Sequence, residues 1–149
     1  MRLGEILNLQ WTDIDLERKL IRVGDREGFT TKSKRARVIP MNDQLIEIMW
    51  SRKSSAASEL VFHRKGQKLR EEFVSKKFKH FARRAGLEER VRFHSMRHTF
   101  ASWLVQDGVS LYEVQKLLGH SNIAVTQVYS HLQPGQLHAT VNRLSLPLN

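Results

Sequence analysis

Four polar side chains stand in a fixed order in the last third of the chain: His94 and Arg97 in HSMRHTF, His120 in LLGHSN and Tyr129 in TQVYSHL. Arg2 and Lys32 stand in the N-terminal part. Together these groups have the chemistry needed to handle a phosphodiester bond. Two guanidinium groups can hold the phosphate through bidentate hydrogen bonds, a geometry that an ammonium does not match. Two imidazoles can hydrogen-bond it, a lysine can give a proton, and a phenol can attack.

Each signal also has a plainer reading when taken alone. The spacing of three puts His94 and Arg97 on one helix face, where both can address one ligand. A lone pair of this kind can equally be a helix start with a buried histidine and a surface arginine. His98 lies four residues after His94, a spacing that zinc ligands use. Ser95, however, stands where a zinc protease helix has its glutamate, and no downstream carboxylate follows at ligand spacing. Gly119 closes one helix and His120 opens the turn into the next, which suits an anion near free backbone N–H groups. A capping histidine fits the same string. Tyr129 reads alone as a core tyrosine with one hydrogen bond. A phenol has a pKa near 10, so about one in a thousand is ionised at neutral pH. As a nucleophile it needs a base or a site that favours phenolate, and neighbouring Arg and His can supply both.

The elements that position these groups follow from pattern. Residues 2–9 are expected to form a helix through Leu3, Ile6, Leu7 and Leu9, with no cap ahead of it. WTDIDL (11–16), 19–23 and 36–39 are expected as strands of a small antiparallel sheet, with Gly24–Gly28 supplying a turn and Pro40 ending the last strand. Lys32 rides on the last long hairpin. Asn42 is expected to cap a helix with Leu45, Ile46, Ile48 and Met49 on its apolar face. Ser54–Ser58 reads as a loop, and Leu60–Phe62 as a short buried extended piece. Residues 71–85 form an amphipathic helix with Phe73, Val74, Phe78, Phe81 and Ala85 on one side, closed by Gly86. A helix over 94–106 stops at Gly108. Ser110 and Glu113 make a capping box for the next, which ends at Gly119. Residues 122–129 are helical, Pro134-Gly135 breaks the chain, and Leu137, Val141 and Leu144 mark a last short helix. The expected fold is therefore α+β, mainly helical with a small three-stranded antiparallel sheet.

The chain has 149 residues, enough for one domain with a core, and no cysteine. Disulfides, thiolate metal sites and cysteine nucleophiles are thereby excluded. MRLGEILNL does not resemble a signal peptide, and no stretch approaches the roughly 18 apolar residues of a membrane span. A soluble, cytoplasmic protein is expected. The net charge is +10, and the excess lies in residues 1–97, because Lys116 and Arg143 cancel Asp107 and Glu113 beyond them. Basic clusters include Lys32-Lys34-Arg35-Arg37 and Lys76-Lys77-Lys79. An excess this localised points to a polyanion, most simply nucleic acid. The plainer reading is a solvated basic surface.

In this order and spacing, the motifs resemble the tyrosine recombinases of the phage integrase and Xer family, whose hallmark is R…K…H-x-x-R…H/W…Y. MRLGEILNLQWTDID is similar to their first arginine box, TTKSKRARVIPM to their lysine hairpin, and residues 94–132 to their second box along its entire length. The resemblance implies a catalytic domain over residues 1–149, without the upstream DNA-clasping domain and helices that the family carries. It implies a site-specific recombinase that cuts and rejoins duplex DNA of a phage or mobile element through a 3′-phosphotyrosine, with no metal, cofactor or ATP. Arg2 and Arg97 would hold the phosphate, with Glu5 beside Arg2. Tyr129 would attack, and Lys32 would protonate the leaving oxygen, with Lys34 its rival. His94 would accept the tyrosine proton or bond the phosphate, and His120 would bond a phosphate oxygen. Lys34, Arg35, Arg37, Lys76, Lys77 and Lys79 are the candidate DNA contacts. A DNA-bound tetramer is expected of the full-length protein, with the last helix docked in cis or in trans. This piece alone is expected to bind DNA weakly and in a salt-sensitive way. A type IB topoisomerase, a non-catalytic DNA-binding regulator and a metal-dependent nuclease are the competing classes.

Overall fold

The computed structural model describes residues 1–31 and 36–135. Lys32, Lys34 and Arg35, and the helix expected near 137–144, lie outside the described residues. The described chain is α+β: six α-helices, a three-stranded antiparallel sheet and a two-stranded hairpin.

Helix α1 (Leu3–Leu7) is shorter than expected and is capped from within. The Glu5 carboxylate accepts the backbone N–H of Arg2 at 2.7 Å, and the Asn8 side chain donates to the Gly4 carbonyl at 2.7 Å. These bonds satisfy groups that a short helix leaves open at both ends. Trp11–Asp13, expected as strand, forms a 3₁₀ turn instead. The cause is local, since the Asp13 carboxylate accepts the Gln10 N–H at 2.9 Å and curls the backbone. The chain then enters β1 (Ile14–Asp15), β2 (Leu20–Val23) and β3 (Arg37–Pro40), paired in that order with Ile21 opposite both Ile14 and Ile39. Pro40 is the last residue of an outer strand, where its missing N–H does no harm.

Asn42 caps α2 (Asp43–Ser54) by accepting the Leu45 N–H at 3.0 Å. Ile46 and Met49 face the core, but Ile48 is 60% exposed. Two residues turn a helix by roughly 200°, which carries Ile48 to the far side from Ile46. A first core gathers Leu9, Ile14, Ile21, Val23, Met41, Ile46, Met49 and Val61. Val61 lies on the extended piece expected at 60–62, and its N–H bonds the Leu9 carbonyl at 2.9 Å. A hairpin of β4 (His63–Arg64) and β5 (Gln67–Lys68) follows, turning at Lys65 and Gly66 with positive φ at both.

Helix α3 (Glu71–Arg84) ends at Gly86, where the Leu87 and Gly86 N–H groups bond the Ala82 and Arg83 carbonyls. Its expected apolar face is only partly used. Ala82 is buried and Phe78 meets Phe93 edge-on, whereas Phe81 is 59% exposed and Ala85 is also exposed. Helices α4 (Ser95–Gln106) and α5 (Leu111–Leu118) pack with the short α6 (Ala124–Gln127) around a second core of Ala101, Val105, Val114, Leu118 and Tyr129. The Ser110/Glu113 capping box forms as expected, and α5 stops at Gly119 in the left-handed region. Among the described residues, no helix is long and apolar enough to cross a membrane.

Leu118→Ala is expected to lower stability by about 2–5 kcal/mol because it opens the second core. Ile48→Ala should stay within about 0.5 kcal/mol. Urea unfolding measures both, and comparable losses at the two positions would contradict this assignment of the core.

Candidate active site

A polar site in which Glu5 and Arg97 are buried and Arg37 is half-buried draws on both halves of the chain. Glu5 on α1 is almost fully buried, with its side chain 1% exposed. Arg37 on β3 grips it as a fork, with nitrogen–oxygen distances of 2.7 and 3.1 Å. Arg2 adds its backbone N–H at 2.7 Å and a guanidinium nitrogen at 3.3 Å. Burial alone would raise the Glu5 pKa, but the hydrogen bonds and charges of Arg37 and Arg2 prevail and hold it below its ordinary value. Arg37 was expected among the DNA contacts. It instead shares the inner face of β3 with Ile39, and its side chain is only 10% exposed. The alternation along the strand carries that signal, since residues two apart point the same way.

Gly119 lets the two halves meet. Its φ is +68°, and a Cβ there would stand 2.7 Å from Nε of Arg37. Glycine is therefore required for backbone conformation and for space. The following His120 bonds the Thr126 hydroxyl through Nδ1 at 2.9 Å. Thr126 is fully buried on α6 and was not anticipated. Burial, reinforced by Arg97, Arg2, His98 and Arg37, pushes the His120 pKa down to about 4. Its imidazole is thus neutral near pH 7. If Nδ1 accepts from Thr126, Nε2 carries the hydrogen and is a donor.

Arg97 is 7% exposed on α4. Its Nη2 donates to the carbonyl of Leu118, one of the acceptors left open at the end of α5. Its Nη1 is buried and has no hydrogen-bond partner among the described residues. Burial and the charges of Arg2 and Arg37, opposed by Glu5, draw its pKa down to about 10, so it stays a cation at neutral pH. Tyr129 is 6% exposed and lies just past α6, at the start of a 3₁₀ turn over Ser130–Leu132. Burial raises its pKa and the Arg97 charge opposes the rise. Its hydroxyl meets Nδ1 of His98 at 2.6 Å, a contact between residues 31 apart in sequence. The His94 ring lies edge-on to that of His98, with centroids 5.0 Å apart. His94 also borders a cleft of about 510 Å³ that Lys76, Lys79 and Arg92 line. Lys77 is exposed, whereas Lys79 is held by Glu89 at 3.2 Å and the Val91 carbonyl at 3.3 Å.

The fold thus brings Arg2, Glu5, Arg97, His120 and Tyr129 into one electrostatic neighbourhood with Arg37 and His98. Among the described residues, no group of three His, Asp or Glu could hold a metal ion. The depressed Glu5 pKa makes its pairing pH-dependent. The stabilisation is present above the unfolded value near 4.3 and is lost as pH falls through the lower folded value. Glu5→Gln should cost about 3–5 kcal/mol near neutral pH, because it leaves Arg37 buried without its counter-charge. The gap between mutant and native chain should narrow on acidification. Unfolding followed as a function of pH checks this, and a constant gap at every pH would contradict it.

Tyrosine recombinase XerC of Xanthomonas axonopodis pv. citri (strain 306) is 36% identical over 136 residues, covering 89% of this chain and 43% of the relative. The catalytic domain of bacteriophage HP1 integrase superposes with a TM-score of 0.68 at 26% identity, over 100% of this chain and 79% of that one. The XerH site-specific recombinase bound to difH substrate gives a TM-score of 0.74 at 25% identity, over 95% of this chain and 42% of that one. This chain spans less than half the length of the XerC relative. Its fold is that of tyrosine recombinase catalytic domains. Residues 1–136, which carry every site residue named above, match the phage integrase family, and the chain belongs to that family.

Proposed function

We propose that this chain is the catalytic domain of a site-specific DNA recombinase, which breaks and rejoins strands through a covalent 3′-phosphotyrosine at Tyr129. The observation that carries the reading is the Arg97 guanidinium. It is buried, charged, left with an unbonded Nη1 among the described residues, and close enough to Tyr129 for its charge to act on the phenol. One carboxylate, Glu5, faces Arg2 and Arg37 nearby, so the site carries excess positive charge for an anionic substrate.

In this mechanism, Arg97 and Arg2 bond the nonbridging oxygens and neutralise the charge that builds up at phosphorus. The neutral His120 donates from Nε2 to a phosphate oxygen, and His94 bonds the phosphate or takes the tyrosine proton. Tyr129 Oη attacks phosphorus and the 5′ oxygen departs with a proton from Lys32, with Lys34 as the alternative donor. Glu5 holds Arg2 in position. The phosphotyrosine keeps the bond energy, so rejoining needs neither ATP nor a metal. Lys34, Arg35, Lys76, Lys77 and Lys79 are proposed DNA contacts. The XerH site-specific recombinase bound to its difH substrate supports DNA as the partner. A tetramer on DNA, action on a phage or mobile element, and a cytoplasmic location belong to the same reading.

A pool of nicked suicide duplexes with randomised arms, mixed with the protein in EDTA and run on a denaturing SDS gel, tests the proposal. A slow-migrating adduct is expected that vanishes in Tyr129→Phe while DNA binding persists. Equal adduct from that mutant would remove Tyr129 as nucleophile. Arg97→Lys should cut adduct formation by about 100-fold or more, since a point charge cannot reproduce the fork. Near-native cleavage by it would contradict the role given to Arg97.

A further inference from the structure

The polar atom that meets the proposed nucleophile belongs to His98. Its Nδ1 lies 2.6 Å from the Tyr129 hydroxyl, within the range of a hydrogen bond. The phenol ring is packed in the second core, so its oxygen has little freedom to choose another partner. His98 is an exposed residue of α4, so solvent reaches its side chain and can take a proton from it. The groups around this contact are His94 at the N-cap of α4, Arg97 on α4 and Tyr129 itself, with His120 close enough to feel the His98 charge.

We infer that His98 is a further catalytic residue, the acceptor of the Tyr129 proton. The inference rests on the phosphotyrosine reading above. For Nδ1 to accept from the phenol, the neutral His98 imidazole carries its hydrogen on Nε2, which leaves Nδ1 as the free base. As Tyr129 Oη bonds to phosphorus, its O–H bond breaks and the proton passes to His98 Nδ1. The bond from phosphorus to the 5′ oxygen breaks, and that oxygen takes its proton from Lys32 or Lys34. Rejoining runs the same transfers backwards, with the imidazolium returning the proton to the phenol oxygen. This assignment leaves His94 to hydrogen-bond the phosphate.

The test uses the full chain, the nicked duplex pool and the SDS-stable adduct. His98→Asn carries an amide oxygen near the place of Nδ1, so it keeps an acceptor and loses the base. It should unfold at the native temperature and shift DNA equally on a native gel, yet form adduct at least about 100-fold more slowly. His98→Ala should regain adduct formation with added imidazole, in a rate that rises with the basicity of substituted imidazoles. Native-rate cleavage by His98→Asn, or an alanine variant that imidazole does not restore, would overturn the assignment while leaving the recombinase reading intact. A native chain that forms no adduct with any duplex in the pool would overturn both.

Discussion

The buried carboxylate of Glu5 is the constraint on which the site depends. It joins α1 to β3 through the Arg37 fork, and it holds the backbone and side chain of Arg2 at the start of the first helix. A buried carboxylate of this kind costs desolvation that only complete hydrogen bonding offsets. Here the compensation comes from cations, and they outnumber it. Arg2, Arg37 and Arg97 surround one negative charge, and Arg97 and Arg37 each keep a buried nitrogen unbonded among the described residues. The same arrangement that ties α1 to β3 therefore favours an anion beside them.

The second core serves chemistry as directly as stability. Tyr129 packs with Ala101, Val105, Val114 and Leu118, while its hydroxyl reaches a histidine at the polar edge. This is the amphipathic use of tyrosine, with an apolar body and one directed polar atom. The position of the proposed nucleophile is thus fixed by how α4, α5 and α6 pack. Arg97 links the two functions again, because its Nη2 closes the end of α5 at Leu118. A packing change in these helices would move the attacking oxygen and the phosphate clamp together.

Much of this was legible in the sequence wherever the cue is local. Asn42, the Ser110/Glu113 box, Gly86 and Gly119 each mark a helix end through a single residue type and spacing. The order of Arg2, His94, Arg97, His120 and Tyr129 was also readable, because each sits in a short local motif, His94 and Arg97 in the same one. The hairpin at Lys65-Gly66 escaped notice because lysine gives no cue for the left-handed φ it adopts there. Trp11–Asp13 alternates like a strand, yet one aspartate bond curls it. The Glu5–Arg37 fork and the His98–Tyr129 contact join residues 32 and 31 positions apart, and no periodicity connects positions so distant. Arg37 looked like one more surface cation in a basic run until the strand pairing turned it inward.

The central claim is that the excess positive charge around Arg97 is built to receive a phosphodiester. Guanidinium and imidazole NMR of the native chain during titration with dimethyl phosphate, a phosphodiester with neither base nor sugar, tests it most directly. Saturable, concerted shifts of the Arg97 and His120 nitrogen signals, absent from exposed arginines such as Arg18 and Arg90, are the result the account predicts. Shifts spread evenly over surface arginines, with Arg97 and His120 unmoved, would contradict it.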